Sequence, residues 1–385
     1  MFDTLIEKKA LNMFQNVTVG SLEFETPSGD IYHFKGDQPG INADIKIEDW
    51  RVFSNLAHKG DVGFAEDFRD KFWHTSNLSS LLRFGIDNES IIDNSGNFLF
   101  RLLSKLSYLT KRNTIKGSKR NIEAHYDLGN NFYKLWLDDS MTYSSAIFKD
   151  VNESLQTAQY NKYDRILSRL NSDCGSILEI GCGWGGFAER ALEKSSKYQV
   201  KGITLSQEQH QYASNRLAGK AEMVIEDYRI QQGKFDHIVS IEMFEAVGQK
   251  YWNNYFNKVK SLLNKDGKAI IQTITIDDDL FESYAKSADM IRTYIFPGGM
   301  LPSKSALIKL ADDAGLKCNN MFNFGLDYAR TLTIWLDKFN ANLPHIQKMG
   351  HSDKFIRMWQ FYLCACIAGF TSGKTDVMQL ELSHV

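Results

Sequence analysis

Gly175-Ser176-Ile177-Leu178-Glu179-Ile180-Gly181-Cys182-Gly183-Trp184-Gly185-Gly186 is the stretch that decides the fold. Ser176 to Ile180 is a short apolar run, the pattern of a strand buried in a parallel sheet. The glycines behind it let the backbone turn tightly and come close to a ligand. Phe187 to Leu192 then reads as a helix whose N-terminus faces that ligand. Further along, Val200 to Ser206 is a second strand with a polar exit, followed by a helical run from Gln207 to Leu217. Met223 to Tyr228 is a third strand and Phe235 to Ile241 a fourth. This succession predicts a doubly wound, Rossmann-like α/β sheet with its ligand at the carboxyl ends of the strands.

A Gly-x-Gly-x-Gly loop also suits a dinucleotide. The second strand, however, ends in Thr204-Leu205-Ser206 and not in the acid that holds an NAD ribose. The loop after the third strand offers Asp227-Tyr228, a polar group beside a flat ring suited to adenine. The pattern resembles the class I S-adenosylmethionine-dependent methyltransferases.

At 385 residues the chain is long enough for two domains. Its formal charge of -2 argues against a dedicated nucleic-acid binder. Five cysteines show no metal-site spacing, so no metal is expected, and buried thiols in a reducing cytosol are the simplest reading. No run reaches the length of a membrane span and no signal-peptide pattern is present. The expectation is a cytoplasmic protein that visits the inner face of the membrane peripherally if its substrate is a lipid.

Residues 1–100 read as a small N-terminal α+β domain. Thr18 to Thr26, the turn Pro27-Ser28-Gly29-Asp30 and Ile31 to Phe34 form a hairpin pattern. Ala43 to Ile47 alternates again, and the pattern turns helical from Trp50. Residues 101–120 carry seven basic side chains and no acid, which suits both a solvated linker and a contact with anionic headgroups. Residues 121–385 then read as the catalytic domain. Ser154 to Leu170 is an amphipathic helix, and Phe355 to Phe370 reads as a core helix.

His125-Tyr126-Asp127-Leu128-Gly129-Asn130, Tyr143-Ser144-Ser145-Ala146, the glycine loop, Met243-Phe244-Glu245 and Tyr294-Ile295-Phe296-Pro297-Gly298-Gly299-Met300-Leu301-Pro302 occur in this order. Together with Asn323 to Tyr328 and Cys366 to Phe370 they resemble the cyclopropane-fatty-acyl-phospholipid synthase family. The resemblance implies methyl transfer from S-adenosylmethionine to a cis double bond of an unsaturated phospholipid acyl chain. An alkene is a feeble nucleophile, so the site must be dry and hold its partners in line. Attack leaves a carbocation, and Tyr126, Tyr143, Phe148, Tyr294, Phe296 and Tyr328 are candidate rings to stabilise it. The family often forms dimers, so a homodimer belongs to the expectation.

Carried over by motif, the cofactor site is Tyr143, Ser144, Glu179, Gly181, Gly183, Gly185, Thr204, Leu205, Gln209, Asp227 and Tyr228. The resemblance also implies a bound bicarbonate as the base that closes the ring. Its expected partners are Glu245, Tyr328, Ile274, Ser145 and Gln272. Three positions depart from the pattern: Ser145 stands for a cysteine, Ala246 for a histidine and Gln272 for a histidine. Serine and glutamine donate hydrogen bonds to an oxyanion but do not supply an imidazole's proton exchange. Two outcomes therefore stay open, a cyclopropane or a methylene or methyl-branched chain. A small-molecule methyltransferase and a non-catalytic lipid binder are the competing classes. Glu242, at the end of the fourth strand, is given no role.

Overall fold

The computed structural model describes residues 2–90, 128–287 and 289–385. The basic segment 101–120, His125 and Tyr126 lie outside the described residues. The chain forms two compact units. One combines the described N-terminal residues with Ser283–Ile295 and Asn340–Lys374, and the other holds the rest. The spatial grouping is thus a different partition from the sequence-order division 1–100, 101–120 and 121–385.

In the first unit, β1 (Val19–Glu25) pairs antiparallel with β2 (Ile31–Lys35) across the expected turn, where Gly29 donates to the Thr26 carbonyl at 2.9 Å. β1 also runs parallel to β3 (Gln38–Ile47), which carries the short β4 (Trp73–His74) on its other edge. Leu22 and Phe24 alternate inward from β1 and are buried, as a half-covered strand requires. The helix Asp353–Ser372 is core, as its apolar run predicts: Trp359, Phe361, Tyr362 and Leu363 are buried. The Phe361 ring lies 5.9 Å from Phe68 and 6.4 Å from Trp73. Burying one such ring contributes roughly 2–3 kcal/mol. Among the described residues no helix is long and apolar enough to cross a membrane. The Tyr284 to Tyr294 region contains the end of the helix Asp278–Lys286 and a π-helical turn at Ile291–Ile295.

The second unit is built on a 7-stranded sheet, counted among the described residues. Its strands are β5 (Gly175–Ile180), β6 (Tyr198–Thr204), β7 (Glu222–Ile225), β8 (Phe235–Ile241), β9 (Leu263–Ile276), β10 (Leu316–Asn323) and β11 (Thr375–His384). Their order is β10-β11-β9-β8-β5-β6-β7. β5 is an interior strand, between β8 and β6, because Ile177, Leu178 and Ile180 leave nothing for water. β7, β6, β5, β8 and β9 are parallel; β11 runs antiparallel to β9, and β10, antiparallel to β11, runs in the direction of the parallel strands again. Tyr163 and Ile166 from the helix Leu155–Ser168, with Phe187 and Ala188 from the helix Gly186–Lys194, pack on Ile177, Val200 and Val239. The chain leaves β5 toward β6 on one side and returns to β8 on the other, which opens a crevice at the carboxyl ends of these strands.

Candidate active site

The donor side of the crevice follows from the glycine loop. Gly181 has φ +83°, and a Cβ there would come within 2.8 Å of the Met243 side chain. A Cβ on Gly183, at φ +51°, would meet nothing within 4 Å, so the loop leaves open space on that side. Glu179 lies one residue before the end of β5 and is 3% exposed, yet its Oε2 has no hydrogen-bond partner among the described residues. Burial holds its carboxyl well above the usual range, opposed by the charge of Lys162. An orphaned buried carboxylate oxygen beside an open glycine turn suits a cationic ligand.

The other predicted cofactor residues surround the same strand ends. Thr204 closes β6 and its hydroxyl donates to Gln209 Oε1 at 2.9 Å, with Leu205 between them in the strand exit. Asp227 follows β7 and accepts from Arg229 Nε at 2.8 Å. The neighbouring Tyr228 ring meets Tyr255 edge-on at 5.4 Å, and its buried hydroxyl has no partner among the described residues. Gly185 is the left-handed residue that starts the helix Gly186–Lys194. Ser144 accepts from the fully buried Lys162 ammonium at 2.6 Å, while its carbonyl accepts from Gln159 at 2.8 Å. Burial pulls Lys162 down to about 7, and Glu242, Asp138 and Glu179 oppose that fall.

Tyr143 belongs to an aromatic cluster. Its ring centroid lies 5.6 Å from Tyr133, 5.3 Å from Trp136, 5.4 Å from Trp335 and 6.4 Å from Phe296. Tyr328 joins it edge-on to Trp335 at 6.1 Å. Tyr328 and Trp335 are seven residues apart on the helix Gly325–Ala341, hence on one face. Of the predicted rings, Tyr143, Phe296 and Tyr328 are therefore brought together. Phe148 is instead capped by the Arg330 guanidinium at 3.8 Å, and Tyr294 lies in the other unit, where its hydroxyl hydrogen-bonds Glu66.

The remaining predicted residues converge on carboxylates. Glu242 Oε1 accepts from the Ser145 backbone N–H at 2.9 Å and from Gln272 Nε2 at 2.8 Å. Its Oε2 accepts from the Tyr328 hydroxyl at 2.6 Å. Glu245 Oε1 accepts the Ile274 N–H at 2.5 Å, and its Oε2 has no partner among the described residues. Burial and the adjacent Glu242 push Glu245 up to about 8. Burial also raises Glu242, but Tyr328, Lys162, Ser145 and Gln272 all pull it back toward the charged form. Glu242 adopts φ +50°, a left-handed conformation uncommon outside glycine. Ser145 acts through its main chain, because its hydroxyl donates to the Ala146 carbonyl at 3.0 Å.

Glu242 is the residue that the sequence reading leaves without a role, and Trp136 and Trp335 are the rings it does not name. The only sequence signal for Glu242 is an acid following the apolar end of β8. The residues expected to hold bicarbonate do not fit it here. Ser145, Gln272 and Tyr328 already donate to Glu242, and the Ile274 N–H already donates to Glu245. A further anion would meet carboxylates with their donors taken. The donor side, in contrast, fits S-adenosylmethionine through the Glu179 oxygen and the open face of Gly183.

Comparison with known proteins identifies the family. The chain is 34% identical over 359 residues to the cyclopropane-fatty-acyl-phospholipid synthase of Escherichia coli, covering 89% of this chain and 88% of that one. It is 32% identical over 342 residues to the tuberculostearic acid methyltransferase of Mycobacterium tuberculosis, covering 85% and 80%. A mycolic acid cyclopropane synthase crystallised with SAH and CTAB superposes with a TM-score of 0.65 at 31% identity, covering 69% of this chain and 97% of that one. Residues 113–380 match the family model of mycolic acid cyclopropane synthetases. The chain is an S-adenosylmethionine-dependent methyltransferase that modifies lipids, and it belongs to the mycolic acid cyclopropane synthetase family.

Proposed function

We propose that the chain methylates a cis double bond of an unsaturated phospholipid acyl chain and closes a cyclopropane ring. The observation that carries this reading is Tyr328, whose ring joins the Tyr143, Trp136, Trp335 and Phe296 cluster while its hydroxyl holds the Glu242 carboxylate. π faces stabilise positive charge on a hydrocarbon without offering it a nucleophile. A carboxylate beside them takes up the proton that ring closure releases.

S-adenosylmethionine, when bound, supplies an electrophilic methyl group on a sulfonium. Glu179, Gly181, Gly183 and Gly185 would hold its amino-acid end, Thr204, Leu205 and Gln209 its ribose, and Asp227 and Tyr228 its adenine. Tyr143 and Ser144 would close over the donor, with Lys162 fixing Ser144 from behind. The aromatic cluster excludes water and orients the acyl chain.

The phospholipid substrate is supported by the name of the Escherichia coli relative, which this chain matches over most of its length. The proposal includes a peripheral visit to the inner face of the membrane, supported by the basic run in residues 101–120. The same reading takes a homodimer as its working oligomer, on the strength of the resemblance. The test is expression in a bacterial host lacking its own ring-forming enzyme, followed by proton NMR of the extracted lipid. A methylene signal upfield of the methyls is expected. New vinylic protons without it would establish the second reading, a methylene product, which Ser145 and Gln272 favour by replacing a cysteine and a histidine. Lipid unchanged from the host's own would defeat both.

A further inference from the structure

We propose that Glu242 is the built-in proton acceptor of ring closure, filling with its own carboxylate the place that the family resemblance assigns to a bound bicarbonate. The inference rests on the ring-forming reading above. Three hydrogen bonds carry it: Ser145 N–H at 2.9 Å, Gln272 Nε2 at 2.8 Å and Tyr328 hydroxyl at 2.6 Å all end on Glu242. Each donor belongs to a residue expected on sequence grounds to hold the anion. The backbone adopts φ +50° at Glu242, a conformation unfavourable for a non-glycine residue. Three donors from separate elements meet the carboxylate that this conformation presents.

A relay sets the cradle. Arg165 Nη1 donates to Gln379 Oε1 at 2.5 Å, and Gln379 Nε2 donates to Gln272 Oε1 at 2.9 Å. With its carbonyl end taken, Gln272 presents its NH2 to Glu242, and an NH2 recognises a carboxylate and not a carboxylic acid proton. The Gln272 bond, with those from Tyr328 and Ser145, favours the carboxylate form of Glu242 against its burial, while burial and Glu242 itself raise Glu245 to about 8.

The step balances. The carbocation on the acyl chain bears the newly delivered methyl. One C–H bond of that methyl breaks, its electron pair forms the second C–C bond of the ring, and the proton goes to a Glu242 oxygen. Glu242 afterwards returns the proton to solvent. No anion from the medium takes part.

The test uses the full-length protein with S-adenosylmethionine and vesicles of a cis-monounsaturated phospholipid, in buffer stripped of carbon dioxide. Wild type is expected to form ring product at a rate within about twofold with or without added bicarbonate. Glu242→Gln, which keeps the shape, is expected to lose about 100-fold, the scale of a general base. Glu242→Gly, which relieves the left-handed backbone and empties the cradle, is expected to lose ring formation and regain part of it with bicarbonate. Carbon-13 line broadening of labelled bicarbonate gives a readout independent of turnover, with broadening expected for Glu242→Gly and none for wild type. A wild-type enzyme that needs or broadens bicarbonate, or a Glu242→Gln protein that keeps its ring-forming rate, overturns the proposal. If wild type methylates no lipid under either condition, the functional reading fails and takes the base role with it. The line-broadening comparison still decides separately whether Glu242 fills the anion cradle.

Discussion

Gln379 donates to Gln272 at 2.9 Å, and this single bond decides which end of Gln272 faces Glu242. Both amides are buried, at 1% and 0% exposure, so neither has water as a substitute partner. Replacing Gln379 with Leu removes the donor without adding a competing one. Loss of one buried hydrogen bond of about 1–2 kcal/mol frees Gln272 to turn. The expected result is a kcat lower by roughly 10-fold with an unchanged KM for S-adenosylmethionine, measured by steady-state release of S-adenosylhomocysteine.

Tyr328→Phe keeps the ring against Trp335 but withdraws a hydroxyl from Glu242. A carboxylate that loses a donor to its charged form becomes easier to protonate. The acid limb of the pH–rate profile is expected to move to higher pH. The maximal rate is expected to fall by about 10-fold or more, the loss expected for a hydrogen bond to a charged group. An acid limb in the wild-type position would separate Tyr328 from the carboxylate's ionisation.

Glu245 is raised by burial and by Glu242 to about 8, so the folded protein holds a proton there that the unfolded chain has lost. Its contribution to stability is complete below the ordinary glutamate range and is lost as pH rises through about 8. Lys162 runs the other way. Its fall to about 7 means that the unfolded chain binds the extra proton above that pH, so this contribution grows as pH rises toward the ordinary lysine range. Between pH 5 and 7 the Glu245 effect acts alone of the two. Over that window the melting temperature of wild type is expected to fall relative to Glu245→Gln, by differential scanning calorimetry at matched ionic strength. Parallel curves would disprove the buried proton on Glu245.

Glu179→Gln leaves the strand intact and removes the carboxyl that a cationic ligand would ionise, whose Oε2 has no partner among the described residues. S-adenosylhomocysteine affinity is expected to drop by about 10- to 100-fold, the scale of a charged hydrogen bond, in a calorimetric titration. Unchanged affinity would place the cofactor's amino group elsewhere.

The methyl-donor half of the site was legible in the sequence because backbone geometry writes it. Tight turns need glycine at Gly181 and Gly183, and the family resemblance carries Thr204 and Asp227 onto the ends of β6 and β7. The carboxylate half was legible only at Glu245, which stands in a motif; Glu242 reaches Ser145, Gln272 and Tyr328 through a left-handed φ that its residue type does not announce. The central parallel strands were visible as apolar runs, while β11 hid behind Gln379 and Glu381, polar residues buried by Gln272, Arg165, Arg169 and Lys268. Aromatic spacing in Asn130–Lys134 and on the helix Gly325–Ala341 held a signal for the ring cluster that single-motif comparison passes over.

β11 lies between β9 and β10, yet it is synthesised after both. On the ribosome its two neighbours emerge first and have no ladder to share until it arrives. A nascent chain therefore waits with a gap in its sheet, and Gln379, which aims Gln272, is among the residues that fill it. The sheet edge that supports Gln272 is thus completed only by the last strand of the sequence.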